Sequence, residues 1–312
     1  MGWRSVLISQ PARLALRQRS LLIEQDAGSA QVPLEDIAAL VLDQPQVTLS
    51  AALLAALSQE QIALITVNGQ HLPNGMLLPF TPHFRFLRVL RLQLAAGAPL
   101  QKRLWQQIIK QKIDNQACVL ALHGQTQSAA HLQELATRVR SGDPDNLEAQ
   151  AAQKYFLALF GRDFRRGDER FWNAGLNYAY AIVRAALARA LCAAGLLPAH
   201  GLHHCNEFNA FNLADDMIEP WRPLLDAWVL RHYPEEQAAS LTPQDKAQLI
   251  SFLHQDVPLQ TQSGRCTVLA ALEQSVQSLV RALEGDSKAR LSLPCIDAQG
   301  RQGALFDTEC GA

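Results

Sequence analysis

The chain has 312 residues, 48% hydrophobic and 18% charged. That is long enough for one or two domains with a proper core, and it excludes a disordered chain or a coiled coil. The net charge of −1 provides no overall attraction to polyanions. No apolar run reaches the roughly 18 residues of a membrane span; the richest stretch, Ala179 to Leu197, carries Arg184 and Arg189 inside it.

In chain order, the first eighty residues read as strands. Arg4 to Ser9 is a short apolar run, and Leu14 to Ile23 is a strand with partial alternation. Ile37 to Asp43 and Ile62 to Val67 are continuous apolar runs, the first after Pro33 and the second ending at Asn68-Gly69. Ser50 to Gln59 reads as a helix capped by Ser50. Asn74-Gly75 marks a tight turn between two short segments.

After Pro82 the period changes to that of helices, over 83–96, 99–122, 128–141, 146–160, 172–195, 209–232, 242–254 and 267–285. Glycines 97, 124, 142, 161 and 195 punctuate them. Gly161 to Arg170 is a charged loop, and Val257 to Cys266 holds a short hairpin. The expected fold is α+β: a small β-rich N-terminal domain, 1–82, then a larger all-helical domain, 83–290, with 291–312 a tail of unassigned structure. No secretory signal is read at the N-terminus, and the expected location is cytoplasmic. The six cysteines are widely spaced without a C-x-x-C pair and read as reduced thiols.

Charge is distributed unevenly. Gln61 to Ile113 contains no Asp or Glu, yet holds Arg85, Arg88, Arg91, Lys102, Arg103, Lys110 and Lys112. Such a window suits a polyanion-facing segment on an otherwise acidic body, the alternative being amphipathic helices with solvated basic faces.

Three segments offer chemistry. Glu148 would sit in the first turn of a helix capped by Asn146, where an anion favours the dipole. Its stripe continues through Ala152, Tyr155 and Leu159, so the carboxylate needs a partner. Gly201 to Asn212 holds the pair His203-His204 among Asn206, Asn209 and Asn212. Asp215, Asp216 and Glu219 would crowd one side of a helix, where like charges repel. They are either a solvated acidic turn or ligands of a cation. Glu, His and an acid on three segments suit a divalent ion acting on a phosphate.

Asn146-Leu-Glu-Ala-Gln-Ala-Ala-Gln-Lys-Tyr-Phe156, Gly175-Leu-Asn-Tyr-Ala-Tyr-Ala-Ile-Val-Arg184 and the run from Gly201 to Pro223 resemble the large subunit of the CRISPR adaptation machinery. That family is the metal-dependent DNA endonuclease/integrase that inserts new spacers. Trp3-Arg4-Ser5 and Pro33-Leu-Glu-Asp-Ile37 look like its type II branch. The resemblance covers nearly the whole chain and weakens after about residue 240.

The resemblance implies a β-rich N-terminal and a helical C-terminal domain. It implies catalytic metal ligands at Glu148, His204 and Glu219 for Mg²⁺ or Mn²⁺. Asp216 is a further candidate, for a second ion or as a support. The reaction implied is attack by a DNA 3′-hydroxyl on a phosphodiester at the repeat edge. The implied partners are double-stranded DNA and a small adaptation subunit, with a homodimer assembled into a heterohexamer. Charge nominates Arg85, Arg88, Arg91, Lys102, Arg103, Arg138, Arg140, Arg165, Arg166 and Arg222 as DNA contacts. Cys205 departs from relatives, which often carry a polar or basic residue there. The alternatives are a non-catalytic DNA-binding scaffold and another divalent-metal phosphohydrolase; against a His-Asp type of the latter, no His-Asp dipeptide occurs.

Overall fold

The protein is described here from a computed structural model, over residues 4–69, 73–77, 85–237, 240–285 and 290–296. Its N-terminal part is β-rich: β1 (Arg4–Ile8), β2 (Ala12–Arg17), β3 (Ser20–Gln25), β4 (Gly28–Pro33), β5 (Ile37–Leu42), β6 (Val47–Leu49), α1 (Ala51–Gln59), β7 (Ala63–Val67) and β8 (Pro73–Leu77). They form two four-stranded sheets, ordered β1-β5-β7-β8 and β4-β3-β2-β6. β5 is parallel to both β1 and β7, and β8 closes the first sheet antiparallel.

β5 shows why its sequence is an unbroken apolar run. Leu40, Leu42 and the β7 residue Leu64 face a core shared with Leu14, Leu21, Leu53 and Leu57. Ala39, Val41, Ala63 and Ile65 belong instead to the core of the helices. Both faces of the sheet are therefore dry, and the period-2 alternation disappears.

Three expectations in this region are corrected. Leu14 to Ile23 is not one strand but the β2–β3 hairpin. Its turn, Gln18-Arg19, takes positive φ at both residues, 49° and 58°. That is the two-residue turn matched to strand twist, here without the Asn or Gly that announces it. β4 and β6 had no counterpart in the reading. Asn74-Gly75 lies inside β8 rather than in a turn. A Cβ on Gly75 would stand 2.4 Å from Thr66 Oγ1 on β7, so the glycine serves a close strand approach.

The rest is mainly helical: α2 (Phe86–Leu94), α3 (Ala98–Leu122), α4 (Thr126–Arg138), α5 (Leu147–Phe160), α6 (Phe171–Ala193), α7 (Asn212–Ile218), α8 (Arg222–His232), α9 (Pro243–Ile250) and α10 (Val268–Leu283). It is not all-helical, because β9 (Asp256–Pro258) and β10 (Arg265–Thr267) form the expected hairpin before α10. The 209–232 helix is broken. A 3-10 turn, Glu219–Trp221, separates α7 from α8. Pro220 and Pro223 have no N–H to continue the ladder. Residues 83–84 and the tail beyond 296, including Cys310, lie outside the described residues, as does Trp3; Leu291–Ile296 is described and buried except for Cys295. No described helix is long and apolar enough to cross a membrane.

One buried ion pair links the two parts. Lys246 Nζ of α9 donates to Asp43 Oδ2, just after β5, at 2.7 Å, with side chains 6% and 2% exposed. Removing one member of such a pair leaves an uncompensated buried charge. Lys246→Met is expected to lower the unfolding free energy by roughly 3–5 kcal/mol in urea titration; a loss below about 1 kcal/mol would show the pair is not holding these parts together.

Candidate active site

α3 is the platform. Its stripe Trp105, Ile108, Lys112, Gln116 and Val119 is buried at helical spacing. Lys112 is the exception in chemistry: an ammonium 6% exposed at the centre of an apolar face. Lys112 Nζ donates to Glu148 Oε1 and to Glu219 Oε2, each at 2.5 Å. The charge pattern puts Lys112 in a polyanion-facing basic window; in the structure α3 turns it inward instead.

Glu148 is held by the start of α5. Asp143 and Asn146 both take left-handed backbone, with φ of 47° and 51°. Asp143 accepts from the N–H of Leu147 at 2.9 Å and of Glu148 at 3.0 Å, and Asn146 Oδ1 accepts from Ala149 N. The first-turn donors are thereby satisfied, which fixes where the Glu148 side chain departs.

Glu219 sits at the proline-broken junction. Asn115, one turn after Lys112 on α3, donates to the carbonyl of Pro220 at 2.8 Å, so the junction is tied to the platform. Arg222 Nε donates to Glu219 Oε1 at 2.8 Å, and Lys112 takes the other oxygen. Burial alone would raise the Glu219 carboxyl; the Lys112 and Arg222 charges outweigh it and hold it down to about 2.

His204 arrives on the loop before α7. Its Nδ1 donates to Asp216 Oδ1 at 2.7 Å. That bond, with Asp216 and Glu219 charges nearby, raises its pKa against the opposing effect of burial. Asp216 is fully buried and also accepts from the N–H groups of Leu202, His203 and His204. Four donors fill the acceptor sites of one carboxylate. Asp216 therefore anchors the loop and orients His204, and has no acceptor site left for a second ion. Gly201 makes this possible, since a Cβ there would stand 2.7 Å from Asp216 Oδ2 and 2.3 Å from His204 O. His203 stacks flat on Trp105, ring centroids 4.2 Å apart, while His204 meets the same ring edge-on at 5.7 Å.

The three acids of this segment do not converge on one cation. Asp215 is bound by Arg184, at 2.5 Å from Nε and 2.9 Å from Nη2. Asp216 turns to the loop and Glu219 to Lys112 and Arg222. Glu148, Glu219 and the half-exposed His204 form the set left for a divalent ion. Two carboxylates and an imidazole whose Nδ1 is already engaged suit Mg²⁺ or Mn²⁺ chemically. Among the described residues no three such ligands are gathered into a ready site. The donor types suit such an ion, while the point between the two carboxylates is held by the Lys112 ammonium.

The charge-nominated DNA contacts divide. Arg85, Arg91, Lys102, Arg103, Arg138 and Arg165 are exposed. Arg88 is exposed and pairs with Glu284, and Arg140 pairs with Asp145. Two are corrected. Arg222 is committed to Glu219 and lies over the Tyr180 ring at 4.7 Å. Arg166 donates to Asn173 and Asn177 and lies over the Phe156 and Tyr180 rings. Both guanidiniums belong to the fold.

Residues 6–251 match the family described as CRISPR associated protein Cas1. The chain is 45% identical over 295 residues to the CRISPR-associated endonuclease Cas1 of Neisseria meningitidis serogroup C (strain 8013), covering 94% of this chain and 96% of that one. Among solved structures it is similar to a casposase bound to integration product, with TM-score 0.78, 16% identity and 96% of each chain covered. It is also similar to a Cas6-RT-Cas1–Cas2 complex, with TM-score 0.69, 19% identity, 92% of this chain covered and 36% of that one. The chain belongs to the Cas1 family.

Behind Arg222, Tyr180 Oη donates to the fully buried Asp226. Burial pushes the Asp226 carboxyl up to about 6. Its stabilising contribution is complete below the ordinary carboxylate value near 4 and is lost as pH rises through about 6. Asp226→Asn is expected to gain on the wild type between pH 4 and 7.5 by on the order of 2–3 kcal/mol, read from urea midpoints at the two pH values. A difference that is constant with pH would show that Asp226 ionises as an ordinary carboxylate.

Proposed function

We propose that this chain is a divalent-metal-dependent DNA endonuclease/integrase of CRISPR adaptation, of the type II branch. It would join the free 3′-hydroxyl of a captured fragment to a phosphodiester at the repeat edge. The new P–O bond forms as the bond to the repeat strand's own 3′-oxygen breaks, and that oxygen leaves as an alcohol. The observation that carries this reading is the pairing of Glu148 and Glu219 across one buried point on α3, beside a His204 already oriented by Asp216.

Glu148, His204 and Glu219 would hold Mg²⁺ or Mn²⁺. A bound ion would supply charge stabilisation at the phosphoryl oxygens and a lower pKa for the attacking hydroxyl. The chain's own residues do the positioning. Asp216 fixes the imidazole tautomer with the proton on Nδ1, which leaves Nε2 as a lone-pair donor. Arg222 and Lys112 keep Glu219 ionised far below neutrality. The exposed Arg85, Arg91, Lys102, Arg103, Arg138 and Arg165 are the candidates for the DNA backbone, with Arg88 and Arg140 available on breaking surface pairs of small worth.

The similar structures, a casposase bound to integration product and a Cas6-RT-Cas1–Cas2 complex, support DNA and a Cas2 subunit as partners; that the DNA is double-stranded and the subunit small follows the family resemblance. The remaining assembly follows the family resemblance: a homodimer through the β-rich part, completed to a heterohexamer. The second reading, a non-catalytic DNA-binding scaffold, has the exposed basic residues in its favour and leaves the buried Glu148–Lys112–Glu219 group without a use.

The test is strand transfer of labelled short duplex DNA into a supercoiled repeat-bearing plasmid, with and without the small subunit, in Mn²⁺, Mg²⁺ and EDTA. Glu148→Gln and His204→Ala are the informative variants, because replacing Glu219 strands the buried Lys112 ammonium and the half-buried Arg222 guanidinium. Each is expected to lose at least roughly a hundredfold in rate, as expected from several kcal/mol of transition-state stabilisation. Asp216→Asn is expected to lose roughly 10- to 100-fold. Lys102→Ala with Arg103→Ala is expected to weaken DNA binding and flatten its salt dependence. Joining that survives EDTA, or is equal in wild type and Glu148→Gln, refutes the metal-dependent enzyme. DNA binding without joining in any arm leaves the scaffold.

A further inference from the structure

Lys112 is the member of this site that neither the motifs nor the charge pattern assigned. The ammonium contacts one oxygen of each carboxylate, Glu148 and Glu219, at equal distance. These are the same two side chains that the proposed function assigns to the divalent ion, and this inference rests on that reading. We propose that Lys112 is a built-in counter-ion that closes the site in the metal-free protein, and that a divalent ion enters by displacing it from Glu148.

Three observations support displacement. First, the helix cannot carry the ammonium away. Gln111 donates to the carbonyl of Pro294 at 3.0 Å, and Asn115 donates to the carbonyls of Pro220 and Pro294 at 2.8 and 3.0 Å. α3 is thus pinned on either side of Lys112, so only the side chain is free to change place.

Second, the group is already neutral: Lys112 and Arg222 balance Glu148 and Glu219. Adding a divalent ion while the ammonium keeps both carboxylates would place two positive charges in excess in a poorly solvated space. Retreat of the ammonium cuts this excess to one, that of Arg222 and the ion against the two carboxylates.

Third, the two carboxylates differ in what they can give up. Glu219 has Arg222 as a second partner, and its side chain is 8% exposed. Glu148 is 30% exposed, and Lys112 is its one ion-pair partner among the described residues. Solvent, and an ion carrying its water, reaches Glu148 first. The exchange replaces one cation by another at Glu148, while Glu219 remains paired throughout. Lys112 would then raise the metal concentration needed to load the site, and would keep two like charges together until the ion arrives.

The experiment is calorimetric titration of the full chain with MnCl₂ alone, without DNA, using wild type, Lys112→Met, Lys112→Arg and Glu148→Gln. Melting temperatures are taken with and without Mn²⁺. Lys112→Met is expected to bind Mn²⁺ at least about tenfold more tightly, because a competing charge is removed. Its metal-free melting temperature is expected to fall and its rise on adding Mn²⁺ to exceed that of wild type. Lys112→Arg, which keeps the charge, is expected not to tighten binding, and Glu148→Gln to lose it.

If circular dichroism shows Lys112→Met unfolded without metal, Lys112→Gln answers the same comparison, since its amide can donate to both carboxylates without charge. Mn²⁺ affinity unchanged or weaker in the neutral variant, with binding lost in Glu148→Gln, overturns the counter-ion role and leaves the metal site standing. Absence of Mn²⁺ binding in all variants, or binding indifferent to Glu148→Gln, overturns the metal reading and this proposal with it.

Discussion

The structure depends on a buried carboxylate at a broken helix. Glu219 lies where Pro220 and Pro223 interrupt the chain between α7 and α8, almost out of contact with water. A lone carboxylate there would cost several kcal/mol or take up a proton. Lys112 from α3 and Arg222 from one turn further on prevent both, holding its carboxyl near 2. Much nearby geometry follows. α3 must present a lysine inward, Asn115 must answer the carbonyl freed at the break, and Arg222 must lie back over Tyr180. The Glu148 carboxylate completes the balance and brings the start of α5 to the same point.

The loop carrying His204 is built by the same logic with a different partner. Among the described residues, the Asp216 carboxylate is met by the His204 imidazole and by the backbone N–H groups of Leu202, His203 and His204. Asn212 reinforces the loop, its side-chain amide donating to the carbonyls of Ala199, Asn206 and Asn209. A side chain that ends one helix turn thus organises a loop of more than ten residues. Rigidity of this kind suits a ligand whose ring must not rotate, because loop motion would otherwise blur its direction.

How legible this was depended on whether a feature is local. Helices α3, α5, α6 and α10 fell close to their expected bounds, because amphipathic period and flanking glycines act within one segment. The β2–β3 turn did not, since Gln18-Arg19 reaches its positive φ under the pull of strand pairing and not from its own preference. Glu148 drew attention as a carboxylate on an apolar stripe. Lys112 carries the same signal, an ammonium among Trp105, Ile108 and Val119, but it lies in a window whose other basic residues point outward and so is hidden among them. Sorting the basic window by helical face separates Lys112 from the exposed Lys102, Arg103 and Lys110. The crowding of Asp215, Asp216 and Glu219 was real in sequence, but their three separate partners come from α6, from the loop before α7, and from α3 and α8.

α3 carries both halves of the proposed chemistry, and this is what gives the basic window its meaning. Lys102, Arg103 and Lys110 stand on its exposed side and Lys112 on its buried side. A DNA backbone held by the first group, as proposed, would lie over the helix whose other face ends at Glu148 and Glu219. Solvated charges cost little to expose and release counterions when a phosphate arrives. The buried charge is silent toward DNA at long range, because Lys112 and Arg222 together are balanced by Glu148 and Glu219. Attraction and chemistry are thereby separated by the width of one helix. The same residue type serves both, and only the face of α3 on which it stands decides which.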